Sequence, residues 1–225
     1  EEKIGQLFMV AAYSSGNEQH HHAVEQLIKN YTIGGIIFMQ GGPVRQAKLT
    51  NRFQFQSKIP LFIGMDMEWG LAMRLDSTIR FPRQMTLGAI QDDHLIYEMG
   101  LEIGQQMNRL GVHVAFAPVA DINNNPQNPV IGSRSFGENI QLVSEKAKAY
   151  MYGLQESGII AVAKHFPGHG DTEIDSHKSL PTIAASREVL FQRELTPFKT
   201  VIDAGISGIM TGHLLVPALS EKEVL

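Results

Sequence analysis

Cysteine is absent from the 225 residues, which excludes disulfides and thiolate metal ligation and leaves the redox compartment open. An excess of positive charge is absent as well. Lys and Arg number 19 against 23 Asp and Glu, a formal net charge of −4, so neither nucleic acid nor an anionic membrane surface is expected as a partner. No apolar run is long enough to cross a bilayer before a charge interrupts it. The opening residues, EEKIGQLFMV, lack the basic start and small-residue cleavage site of a secretory signal. A leader removed beforehand would leave the same start, so localisation stays open. Internal repeats and low-complexity linkers are missing too. What remains is ordinary for a globular chain with a real core, 43% hydrophobic and 19% charged. The length allows one large domain or two small ones, and a single domain over 1–225 is the expectation.

Short β-rich runs recur at 7–13, 34–39, 60–66, 112–121, 159–166 and 205–213. Most are near-continuously apolar, the pattern of strands covered on both faces. Helical spacing fills the gaps. Over 92–110, Leu95, Met99, Ile103, Met107 and Leu110 share a face, with Asp92 and Asp93 at the start and Gly111 after the end. Over 139–157, Ile140, Val143, Ala147, Tyr150 and Leu154 do the same, and Gly158 closes the helix. Pro197 is expected to end one helix and start another within 186–204. The consecutive histidines 20–22 read as a solvated helix face.

Alternating strands and helices predict right-handed βαβ units and a parallel sheet. An open nucleotide-binding sheet would show a glycine-rich turn after its first strand, and AAYSSGNEQHHH has no phosphate-cradling pattern. Functional residues collect instead at strand ends: Asp66, Asp121, Lys164 with His165, and His213. That is the habit of a (β/α)8 TIM-barrel, so the expected class is α/β of that type. Only six of eight strands are visible, and the barrel is expected to be incomplete in this chain.

The richest stretch is KHFPGHGDTEIDSHKSLP, 164–181. A strand enters it, and Pro167, Gly168 and Gly170 force tight turning. Asp175 and His177 lie two residues apart, a spacing that lets the carboxylate fix the imidazole's tautomer and raise its basicity. Such a pair shuttles protons near neutral pH. Two other readings stay open. His165, His169 and His177 can be hydrogen-bonded loop residues, or His165, His169, Asp171, Asp175 and His177 can supply metal ligands. Two further segments add polar groups. In GMDMEWGLAMRLDST, 64–78, Asp66 at a strand end can accept hydrogen bonds from sugar hydroxyls or pair with Arg74, and Trp69 can stack on a sugar or cap the barrel. In DINNNPQNPVIGSRSFGEN, 121–139, Arg134 can fork onto a ligand or bind loop carbonyls. His213 reads as structural.

These segments, in this order and with GIMTGH at 208–213, resemble glycoside hydrolase family 3, in its β-N-acetylglucosaminidase (β-N-acetylhexosaminidase) branch. The resemblance implies a barrel domain and retaining removal of terminal N-acetylglucosamine from a small carbohydrate substrate, such as a peptidoglycan fragment or chitooligosaccharide. It implies His177 as acid/base and Asp175 as its partner. It carries substrate contacts to Asp66, Arg74, Arg134, Lys164 and His165, with no cofactor and no metal. Oligomeric state is not implied. Two departures stand out. The family pattern after the acidic residue is Glu-Gly-Gly-Arg-Val, whereas Glu68 is followed here by WGLAM, so Trp69 and Leu71 replace a glycine and an arginine. The family's nucleophile is an aspartate in a Thr-Asp pair on a later strand, and no residue of 1–225 matches it. A metal-dependent hydrolase and a non-catalytic sugar-binding module are the alternative readings.

Overall fold

The computed structural model describes residues 2–172 and 180–219. A short helix α1 (Glu2–Gly5) leads into β1 (Met9–Ala12), and α2 (Glu18–Tyr31), β2 (Gly35–Phe38), α3 (Pro43–Gln56) and β3 (Phe62–Met65) follow. Next come α4 (Gln84–Gly88), α5 (Asp93–Arg109), β4 (Val114–Ala115), α6 (Ile140–Glu156) and β5 (Ile160–Phe166). The described part closes with α7 (Arg187–Val189), a π-helical turn (Leu190–Glu194), α8 (Leu195–Asp203) and β6 (Gly208–Thr211).

All five strand pairings are parallel, and the sheet order is β1-β2-β3-β4-β5-β6. Each crossover therefore moves one position in the same direction. A doubly wound sheet would reverse direction at a switch point. A steady progression curls the sheet on itself, and the result is a half-barrel of the TIM type with helices outside. Six strands are present among the described residues, as the hydrophobic runs predicted. The middle strands are dry, with Ile36, Phe38, Ile63, Met65, Ala115, Ala161 and Ala163 all buried. Edge strands β1 and β6 are only partly covered.

Local chemistry explains the boundaries and the corrections. Asp92 caps α5 by accepting from His94 N, and Asn139 caps α6 by accepting from Leu142 N. Gly111 and Gly158 take φ of 67° and 86° just past these helices. The buried face of α5 is Ile96, Met99, Ile103 and Met107; Leu95 is 50% exposed, one residue off the expected stripe. The run 112–121 forms only a two-residue strand, because Pro118 has no N–H to give a ladder. Gln84 patches the break: its amide donates to the Val119 carbonyl (3.0 Å) and accepts from Val119 N (3.1 Å). Pro197 does not divide a helix. It lies near the start of α8, which runs on without a break from the π turn before it, and that turn is the irregularity. His21 is buried, not solvated, and bonds the Tyr13 carbonyl at 3.2 Å, while His22 is exposed.

Helices α5 and α6 approach closely because glycines line their crossing. A Cβ at Gly153 would lie 2.1 Å from the Tyr97 carbonyl oxygen, and one at Gly100 would lie 2.6 Å from that of Tyr150. Backbone on both sides leaves nothing soft to yield. Gly153→Ala is expected to lower unfolding stability by about 1–3 kcal/mol. Chemical denaturation measures it, and an unchanged midpoint would contradict the packing described.

Candidate active site

The C-terminal ends of β3, β4 and β5 converge on one chain of charges. Lys164, in β5, is 2% exposed, and its ammonium lies 2.7 Å from Asp66 Oδ1 and 2.8 Å from Glu68 Oε1. Arg74 donates to the other oxygen of Asp66. Arg134 forks onto Glu68, with Nε to Oε2 at 2.9 Å and Nη2 to Oε1 at 2.7 Å, and its Nη1 reaches the Val130 carbonyl at 3.1 Å. The same Nη2 lies 3.3 Å from His165 Nε2. On the far side of that ring, Nδ1 lies 2.6 Å from Asp121 Oδ2. Arg134 only donates, so Nε2 accepts and Nδ1 carries the hydrogen that Asp121 receives. Asp121 also accepts the backbone N–H of His169 at 2.7 Å.

Three carboxylates (Asp66, Glu68, Asp121) thus meet three cations (Arg74, Lys164, Arg134), and Glu68 and Asp121 are 0% exposed. Burial alone would raise each carboxyl. For Asp66 the opposing charge and hydrogen bond of Lys164, with Arg74, win and hold it at about 2. Lys164 and Arg134 bring Glu68 below its ordinary range against the same penalty, and His165 with nearby backbone N–H groups does so for Asp121. The network is therefore ionised at neutral pH.

Neighbouring residues fix the loops that carry it. Tyr150, buried in α6, donates its hydroxyl to the Met67 carbonyl between Asp66 and Glu68. Asn128 accepts from Val130 N and Ile131 N and donates to the His169 carbonyl, each at 2.8 Å, so the loop after β4 is tied to the loop after β5. Gly170 is required at that junction, since a Cβ there would fall 1.6 Å from the Ile122 carbonyl oxygen. Arg193 links Asp171 (2.7 Å) to the buried Glu194 (2.6 Å), and Asn124 donates to Glu194 at 2.9 Å. Burial raises the Glu194 carboxyl. His169, also buried, is pushed down by burial; its Nδ1 meets Thr172 Oγ1 at 2.7 Å. Several buried polar atoms around these loops lack a partner: Arg74 Nε, Asn123 Oδ1, Asn124 Oδ1 and His169 Nε2. Buried groups of that kind ask for a polar ligand or water.

The five substrate-contact candidates, Asp66, Arg74, Arg134, Lys164 and His165, come together as one group. Of the two alternatives posed for Asp66, the structure shows the pairing with Arg74 at the strand end. Arg134 spends its fork on Glu68 rather than keeping it for a ligand. Trp69 is half-buried and lies under two guanidinium groups, Arg83 at 4.8 Å and Arg80 at 6.0 Å from its ring centre. His213 is exposed. Asp175 and His177 lie outside the described residues. Among those described, no three His, Asp or Glu side chains gather as a metal site would require. Asp121 stands among the strand-end residues read from the sequence, whereas Glu68 was missed. A usable signal existed for Glu68: two residues beyond Asp66 in extended chain, it shares that residue's side.

The chain matches the glycosyl hydrolase family 3 N-terminal domain over residues 1–224. It belongs to glycosyl hydrolase family 3. Among its family 3 relatives, "Beta-hexosaminidase A" of Pseudoalteromonas piscicida is 38% identical over 216 residues, which cover 90% of this chain and 36% of that protein. A solved family 3 β-N-acetylglucosaminidase from Paenibacillus sp. str. FPU-7 superposes with a TM-score of 0.90 at 38% identity, over 99% of this chain and 43% of the other. NagZ from Neisseria gonorrhoeae, solved in complex with N-trifluoroacetyl-D-glucosamine, gives 0.82 at 29% identity, over 95% and 65%. The chain thus spans about a third to two thirds of these family 3 proteins.

The charge network has a pH signature. Asp66 is depressed in the folded protein, so its contribution is present above the unfolded carboxyl range and is lost as pH falls through about 4 toward 2. A shift of that size is worth about 2 kcal/mol. Replacing Lys164 by Met removes the cation shared by Asp66 and Glu68. Stability at pH 7 should fall by about 3–5 kcal/mol, and less stability should be lost between pH 4 and 2, because Asp66 is no longer held so far below its unfolded value. Urea titrations across pH 2–7 measure both; an acid limb unmoved by the substitution would contradict the assignment.

Proposed function

We propose that the protein containing this chain is a retaining, exo-acting β-N-acetylglucosaminidase. The observation that carries this reading is the convergence of Asp66, Arg74, Glu68, Lys164 and Arg134 at the ends of adjacent strands, in a chain similar to β-N-acetylglucosaminidases. Sugar hydroxyls both donate and accept. Ionised Asp66 offers acceptor lone pairs, Lys164 retains a third N–H beyond the two it spends, and Arg74 has an uncommitted Nε. With the buried Asp121 counted, three carboxylates balance the three cations, which suits a neutral sugar ring. Trimming from one end also suits a site closed at its base by buried ion pairs.

In this reading, His177 protonates the departing sugar oxygen and then takes a proton from the incoming water. Asp175 orients its imidazole. An imidazole in the acid/base role departs from the usual pair of carboxyl groups about 5–5.5 Å apart, and a neutral ring repels an anionic acceptor less than a carboxylate does. The nucleophile is assigned to no residue of this chain. Phosphorolysis is the variant in which phosphate replaces water, and it would release the sugar 1-phosphate.

The test uses the intact protein on an aryl N-acetyl-β-glucosaminide beside the matching glucoside. Cleavage of the first with retained configuration, read by NMR of the initial product, is expected. His177→Ala should cut turnover by about 10²–10⁴ on poor leaving groups and far less on very acidic ones, which need no proton. An equal loss on both classes would remove the acid/base role. Activity lost to a chelator would favour a metal-dependent hydrolase, and binding without turnover a sugar-binding module.

A further inference from the structure

Arg134 is held from outside the site as well as from within. Glu68 and Arg134 form the inner fork, at 2.7 and 2.9 Å. One residue along from each, Trp69 and Ser133 meet the same third side chain. Arg83 lays its guanidinium over the Trp69 ring at 4.8 Å and donates Nη1 to Ser133 Oγ at 2.7 Å. The contacts close a ring: Glu68, Trp69, Arg83, Ser133, Arg134 and back to Glu68. Its two halves come from the loop after β3 and the loop after β4. Trp69 stands where the family pattern has a glycine. A glycine gives Arg83 no ring to lie on.

We propose that Arg83, seated on Trp69 and bonded to Ser133, is a positioning residue that keeps Arg134 locked on Glu68 and so restricts this wall of the pocket to neutral sugar groups. The reasoning is one of capacity. Arg134 spends Nε and Nη2 on Glu68, Nη1 on the Val130 carbonyl, and shares Nη2 with His165. A guanidinium so occupied and so neutralised has neither the fork nor the net charge to take a carboxylate from a ligand. It presents a rigid, ion-paired edge suited to a hydroxyl or amide. Freed from its clasp, it could swing toward an acidic sugar. Arg80 serves as the internal comparison: it is exposed like Arg83 and also lies over Trp69, but at 6.0 Å, and among the described residues it reaches no second loop.

This inference rests on the glycosidase reading, and the experiment separates the two. In the intact protein, Arg83→Ala is expected to raise KM for an aryl N-acetyl-β-glucosaminide about 5- to 30-fold, the worth of one cation–π contact and one hydrogen bond, and Ser133→Ala about 2- to 10-fold, the worth of the hydrogen bond alone. The change in kcat should be much smaller. Arg83→Lys, which keeps a cation over the ring, should recover part of the loss, and Arg80→Ala should leave KM within about 2-fold. Inhibition by glucuronate should strengthen in Arg83→Ala relative to inhibition by N-acetylglucosamine. A second readout is independent of turnover. The Arg134 Nε–H proton, assigned by its loss in Arg134→Lys, should exchange slowly in the parent protein and faster in Arg83→Ala. The clasp is overturned if that exchange rate does not move, if Arg80→Ala matches Arg83→Ala, or if apparent kcat falls with the folded fraction while KM stays unchanged. If the parent protein cleaves no N-acetyl-β-glucosaminide, the glycosidase reading fails and the exchange measurement alone judges the clasp.

Discussion

One ammonium group organises the centre of this molecule. Lys164 is buried to 2% exposure and touches two carboxylates that come from a strand two places away. A lysine so enclosed is costly unless paired, and breaking the pairing leaves a bare charge in a medium that solvates it poorly. Asp66 and Glu68 are under the same constraint. The consequence is mutual: none of the three can be displaced without stranding the others, and each recruits a further partner. Asp66 takes Arg74, Glu68 takes Arg134, and Arg134 reaches His165, which Asp121 steadies. The curl of the sheet makes the cluster possible, because a flat sheet would hold the ends of β3 and β5 about two strand spacings apart.

That constraint connects fold to chemistry. A sugar pocket needs donors and acceptors fixed before the ligand arrives, since groups ordered on binding cost affinity. At the proposed site the fixing is done by ion pairs and by hydrogen bonds behind them: Tyr150 under Met67, Gln84 on the Val119 backbone beyond β4, Asn128 between the loops after β4 and β5. The helical layer contributes rigidity through the glycine contacts of α5 and α6. Belonging to family 3 then supplies the chemical setting, and the proposed glycosidase activity follows from a neutral, preorganised pocket floor rather than from any single residue.

Much of this was legible in the chain. Strand runs, helix caps and the residues at strand ends follow from period and position, and Asp66, Lys164 and His165 were found that way. The pairing pattern was not. Nothing in one sequence says that Lys164 bridges Asp66 and Glu68 across about a hundred residues, or that Asp121 holds the ring of His165. The errors have local causes. Leu95 was read as core because it lies four residues before Met99, but the buried face turns instead to Ile96, three before it. The fourth run was read as a long strand because its apolar residues outvoted Pro118. His21 was read with its neighbours as solvated, yet one turn of α2 buries it against the Tyr13 carbonyl. Glu68 was passed over beside the more conspicuous Asp66 and Trp69.

The central claim is that the ion-paired cluster at the ends of β3, β4 and β5 is the floor of the sugar site. A crystal structure of the intact protein with bound N-acetylglucosamine tests it most directly. The account predicts sugar oxygens within hydrogen-bond distance of Asp66 and Lys164, with the Glu68–Arg134 fork intact beside them. A sugar bound elsewhere, or one that leaves Asp66 and Lys164 untouched, would contradict it.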